Sequence, residues 1–178
     1  MNNDKFFSVI DVLGGKPTPA TPGTQLTVEA FNLYSKDGGV VHFTGKEILY
    51  QRNSAACKAI GEVDRYPVPP LIFWPRALAL AIFSDRIRRE VNSPVLFKSW
   101  WRWEGLNTAS GGAPNSDHID ACAGDLEFES LNKQQIAGAF LEPFYRSGIF
   151  NMSLGLSSNG KIIHLGMFSA QGHRRWYY

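Results

Sequence analysis

Four prolines fall within the segment YPVPPLIFWP, at positions 67, 69, 70 and 75. Each removes a backbone donor and biases the residue before it away from helix, so neither a helix nor a central strand can run through this stretch. The chain is thereby divided into two stretches of different character. Before the prolines, Thr44 followed by Glu47 forms a capping-box pattern, which predicts a helix from about Gly45 to Ile60. Residues 1–40 are punctuated by Gly14, Gly15, Pro17, Pro19, Pro22, Gly23, Gly38 and Gly39, with strand-like alternation in QLTVEAFNLY. They are expected to form an N-terminal extension or docking arm, one that wraps the domain or seats on a partner, ahead of a domain over 41–178.

After the prolines the pattern alternates between helix and strand. Leu80, Phe83, Ile87 and Val91 recur at helical spacing, with Asp85, Arg86, Arg88, Arg89 and Glu90 on much of the other face, predicting a helix over 76–91. VLFKSWW and IDACAGDLEF read as strands, and FNMSLGLSS with KIIHLGMF as a pair joined at Ser158, Asn159 and Gly160. KQQIAGAFLEPFYRSG reads as a helix disturbed at Pro143. The expected class is α+β, a small and mainly antiparallel sheet flanked by helices.

Composition narrows the function classes. At 178 residues and 44% hydrophobic content the chain can bury a real core, which excludes disordered and collagen-like classes. A net charge of +2 carries no bulk argument for nucleic acid or a membrane surface. Arg86, Arg88, Arg89, Arg174 and Arg175 with Trp100, Trp101 and Trp103 could build a stacking groove for single strands. Solvated helix faces and core tryptophans account for the same residues, and no nucleic-acid or membrane partner is expected. Cys57 and Cys122 lie in no CxxC pair and read as small buried hydrophobes. The N-terminus lacks the basic start and cleavage site of a secretory signal, and no stretch approaches a spanning helix, so synthesis in the cytoplasm is expected.

The chemistry concentrates between Val95 and Phe128. His118 and Asp125 are seven apart, with small residues at 121, 123 and 124 that leave room between an imidazole and a carboxylate on the following strand. His164, in the strand-like KIIHLGM, is a third candidate. Two neutral imidazoles and one carboxylate suit Zn²⁺ with a fourth position open to water. Spacing by itself equally allows His118 to cap a loop and His164 to be a satisfied core histidine.

The run Ser116, His118, Ala123, Asp125 resembles the S-x-H-x-x-G-x-A-x-D pattern of the zinc D-Ala-D-Ala carboxypeptidase and endolysin family, with Ala121 in place of the usual glycine. Ser99 to Arg102 stand where that family has S-G-Y-R, Asn107 and Gly111-Gly112 fit the preceding loop, and Arg174-Arg175-Trp176 is similar to the ending of its small members. The resemblance covers about Phe43 onward. It implies the hedgehog/DD-peptidase fold, a zinc ion on His118, Asp125 and His164, a peptidoglycan stem peptide as partner, and Arg102 orienting substrate or stabilising an oxyanion. Ser116 would support the ligand loop.

One part of the pattern is missing. The family places an acid three residues before its third ligand, and many small members have an aspartate two after it; here those positions hold Lys161 and Gly166. Glu142, Glu127, Glu129 and Asp120 are conceivable substitutes, though nothing in the sequence aims them at the site. Two readings follow: a zinc peptidase with an unrecognised base, or a catalytically silent structural or wall-binding module. The second could belong to a phage tail or related particle, virion-associated and docked to neighbouring subunits by residues 1–40.

Overall fold

The computed structural model of the chain describes residues 4–16, 23 and 25–178. Seven α-helices are described: α1 (Asp4–Val12), α2 (Val28–Asp37), α3 (Gly45–Leu49), α4 (Ser54–Ala59), α5 (Trp74–Val91), α6 (Glu104–Ala109) and α7 (Leu131–Ser147). Five strands complete the fold: β1 (Val95–Ser99), β2 (Ala123–Phe128), β3 (Ser153–Leu156), β4 (Ile162–Gly166) and β5 (Arg174–Tyr177). No described helix is long and apolar enough to cross a membrane.

Helix α5 forms the centre because its sequence lets it. Pro75 occupies the first turn, where its missing N–H costs nothing, and Asn92 closes the far end in the left-handed region at φ 46°. From Trp74 to Asp85 every residue is buried. Its charged end is tied inward as well. Asp85 accepts hydrogen bonds from the backbone N–H groups of Val41 (2.6 Å) and His42 (3.1 Å), and Arg86 donates to the Leu13 carbonyl at 2.8 Å. The expected solvated face is therefore partly a seam.

That seam is made by the N-terminal segments. Phe6, Val9, Ile10 and Leu13, then Phe31 and Tyr34, belong to the same buried cluster as α5 and the sheet. Residues 4–16 and 25–40 thus pack against α5 and the sheet; residues 1–3, 17–22 and 24 lie outside the described residues. QLTVEAFNLY is helical from Val28, not extended, because Thr27 caps the first turn by accepting from the Ala30 N–H and Phe31, Tyr34 and Ser35 bury one helical face. The single helix expected over 45–60 is two, α3 and α4. Gln51 leaves the helix to exchange hydrogen bonds with Arg65, and Asn53 caps a new start.

The α+β class holds. The sheet order is β1-β2-β4-β3-β5, antiparallel except for β3 against β5, which are parallel. One face carries Leu126, Ile163, Leu165 and Leu154, all fully buried beneath α5 and α7. Pro143 does not break α7, since Phe140 and Phe144 anchor its second half against Phe83. Alternation along the strands sends Asp125, His164, Ser153 and Trp176 to the other face. The site is built there.

Candidate metal centre

Asp125 and His164 are directly opposed across β2 and β4, so backbone pairing alone brings a carboxylate and an imidazole together. His118 arrives from the turn before β2. That turn is closed by hydrogen bonds from the Ile119 N–H to the Ser116 carbonyl and from the Cys122 N–H to the Asp117 carbonyl, both 3.0 Å. Ala121 completes it at φ 56°, in the left-handed region that a glycine would occupy without strain. This accounts for the family pattern having glycine there.

Trp100 fixes the ring. His118 Nδ1 lies 2.6 Å from the Trp100 carbonyl, which can only accept, so Nδ1 carries the proton and Nε2 is left as a lone pair. Nε2 points at Asp125 Oδ1, 3.2 Å away, and His164 Nδ1 reaches the same oxygen at 3.0 Å. The three donor atoms lie within 4.8 Å of one another. Zinc bonds of about 2.0–2.2 Å at tetrahedral angles place neighbouring donors about 3.3–3.5 Å apart, so both measured gaps are within a few tenths of an ångström of what the ion requires. The residues fit a zinc ion.

Charge supports the same use. Burial pushes the His118 imidazolium down, against the pull of Asp125, which leaves the ring neutral and able to ligate near pH 7. Burial would raise the Asp125 carboxyl, but the His118 and His164 rings, when protonated, outweigh it and hold the group well below the usual carboxylate range. Asp125's outer oxygen, Oδ2, accepts from Arg102 Nη2 at 3.0 Å. Arg102 is thus paired with Asp125. Burial lowers its guanidinium, with Asp125 opposing.

The far side of His164 is equally well ordered. Its Nε2 stands 3.3 Å from Ser153 Oγ, and Trp176 leans on the ring at a centroid distance of 5.1 Å. Gly155 makes that possible, because a Cβ there would stand 2.6 Å from the Trp176 ring. Above the three donors opens a cleft of about 660 Å³, lined by Arg102, Arg174, Arg175, Trp176 and Tyr178 among others. Burial raises the Tyr178 phenol to about 12, with Asp125 adding and Arg102 opposing.

Of the candidate acids, Glu127 lies on the Asp125 face of β2, lines the neighbouring hollow with Asp125 and Arg102, and is paired with Lys98. Glu129 accepts from Ser93, Glu142 is held by Arg146 and Arg175, and Asp120 is exposed. Lys161 lines a separate hollow with Pro94 and Glu127. Among the described residues, the carboxylates that line the cleft are Asp125 and Asp117. Ser116 offers the His118 N–H only a long contact of 3.4 Å.

A mostly antiparallel sheet presenting His, Asp and His beneath an open cleft defines a metallopeptidase-like domain. The family model described as Peptidase M15 matches residues 41–165, well over half of the chain and all three donors. The chain belongs to the peptidase M15 family, zinc-dependent enzymes of the D-Ala-D-Ala carboxypeptidase type that act on peptidoglycan. No curated protein and no solved structure matches the chain significantly.

Sequence reasoning missed Asp117, Ser153 and Ser169, whose side chains meet behind His164. The one local signal is an acid placed beside the candidate ligand His118 and small residues at 153 and 166. It also missed that β5 joins the sheet and brings Arg174 and Trp176 to the site.

Proposed function

We propose that this domain is a zinc-dependent peptidoglycan peptidase of low turnover, taking stem peptides into the cleft above His118, Asp125 and His164. The observation that carries it is the convergence of those three donors, within 4.8 Å of one another, on the floor of an arginine-lined cleft in a peptidase M15 chain. A zinc ion held there would supply Lewis acidity toward a scissile carbonyl and toward water. The chain's own residues do the rest. Trp100 keeps the His118 tautomer, and Arg102 keeps Asp125 turned so that Oδ1 faces both rings. Arg102 also lines the neighbouring hollow with Arg52, Lys98, Asp125 and Glu127, beside the three donors. There it would orient substrate oxygens and stabilise developing negative charge.

Hydrolysis also needs a proton acceptor. Asp125 belongs to the donor set, and Asp117 is 2% exposed with its oxygens already hydrogen-bonded. Missing general-base assistance lowers turnover by about 10²–10⁴. The same observation favours a second reading, a silent wall-binding or structural module that holds stem peptides without cutting them, as in a phage tail or related particle. Purified full-length chain loaded with zinc should release new amines from defined stem peptides slowly. A chelator or His118→Ala should stop it. Binding of those peptides with no release at all would put the silent module in place of the enzyme.

A further inference from the structure

Behind His164 lies a buried polar chain that no part of the zinc reading requires. The Ser153 hydroxyl donates to Asp117 Oδ2 at 2.7 Å, and Ser153 Oγ stands 3.3 Å from His164 Nε2. Asp117 is pinned by two further groups, Ser169 donating to Oδ1 at 2.9 Å and Arg174 to Oδ2 at 3.1 Å. Ser153 and Ser169 are buried as deeply as Asp117. Gly166 keeps the chain open, because a Cβ at that position would overlap Ser153 Oγ and stand 3.2 Å from Asp117 Oδ2.

We propose that Asp117 is a positioning residue that acts through Ser153 to fix His164 in the tautomer and orientation that present Nδ1 to a metal ion. The argument is one of proton counting and rests on the zinc reading above. A serine hydroxyl has one proton, and an ionised carboxylate can only accept. With that proton committed to Asp117, Ser153 offers His164 only a lone pair, so Nε2 must carry the ring proton and Nδ1 is left bare. Asp117→Ala removes the acceptor, which frees the Ser153 hydroxyl to donate to Nε2 and moves the ring proton to Nδ1, where it blocks ligation. Groups that orient a ligand histidine in this way commonly contribute 10–100-fold in metal affinity.

The test measures Zn²⁺ affinity of the full-length chain by competition with a chromophoric chelator, and the visible spectrum of the Co²⁺ form. Metal-free melting and circular dichroism report the fold. Ser153→Ala, which leaves Asp117 held by Ser169 and Arg174, should weaken zinc at least about tenfold and change the Co²⁺ band shape while the metal-free fold is retained. Asp117→Ala should do the same, and the double variant should lose no more than Ser153→Ala alone, because the two act in series. Ser169→Ala, which touches Asp117 but not the link to His164, should bind zinc within about twofold of the wild type. Unchanged affinity and spectrum in Ser153→Ala overturn the inference by itself. A wild-type chain with no zinc affinity overturns the metal reading and the inference together. Should Asp117→Ala fail to fold, the Ser153→Ala result decides.

Discussion

Trp100 grips the His118 turn at two points, its carbonyl 2.6 Å from His118 Nδ1 and its indole N–H donating to the Ala121 carbonyl at 3.1 Å. The first contact belongs to the backbone and survives any side-chain change. The second does not. Trp100→Phe strands a buried carbonyl and leaves a void beside Phe31, which should cost about 2 kcal/mol of stability. Zinc binding should persist because the carbonyl remains. Urea unfolding alongside a zinc titration checks both halves, and loss of zinc binding in a folded variant would contradict the division.

Ala121 carries backbone strain in the middle of the same turn. Ala121→Gly removes a Cβ that disfavours φ 56°, and it should raise stability by about 1 kcal/mol. The unfolding midpoint reads this directly. An unchanged or lower midpoint would mean that the packing of that methyl group outweighs the strain.

Acid should weaken the zinc-free protein in a defined window. Burial lowers the His118 pKa below its unfolded value, so between the two values the unfolded chain binds the extra proton and the native one does not. Stability is therefore fully present above about pH 6.5 and falls as pH drops below it. Asp125, whose carboxyl is also depressed, adds a loss of the same sign starting near pH 4. Melting temperatures recorded with a chelator from pH 8 to pH 3 should show both limbs. His118→Asn should flatten the upper one.

Restoring the family's acid at its usual position should not restore turnover. Lys161 lines a hollow with Pro94, Leu96 and Glu127 that is separate from the cleft above the three donors. Lys161→Glu is thus expected to leave stem-peptide hydrolysis within about twofold of the wild type, since a base must come within hydrogen-bond reach of the proton it takes. A large gain in rate would show that the turn at 158–161 swings toward the site when peptide binds.

Local patterns made part of this architecture legible. The apolar recurrence from Leu80 to Val91 marked α5 although Pro75, read as a breaker, proves to lie in its first turn; turn residues at 158–160 marked the β3/β4 hairpin, and the run from Ser116 to Asp125 marked the turn and strand that hold two of the donors. Helix α2 was hidden because Leu26, Val28 and Ala30 alternate by chance, while the Thr27 cap and the burial of Phe31 and Tyr34 decide the matter. Strand β5 was hidden because a parallel partner is fixed by tertiary docking, with no hairpin turn to announce it. The Asp117 network was hidden for a similar reason. Its partners lie 36, 52 and 57 positions away along the chain, beyond any periodicity.

The early helices have a practical consequence for anyone trimming this polypeptide. Phe31 stacks on Trp100 at 5.9 Å and meets Trp74 edge-on at 5.2 Å, so α2 underlies the very tryptophan that orients His118. A fragment cut to the matched span, 41–165, would lose that support on one side and Arg174 and Trp176 on the other. The stretch shared with relatives is consequently shorter than the smallest piece able to hold its own site together.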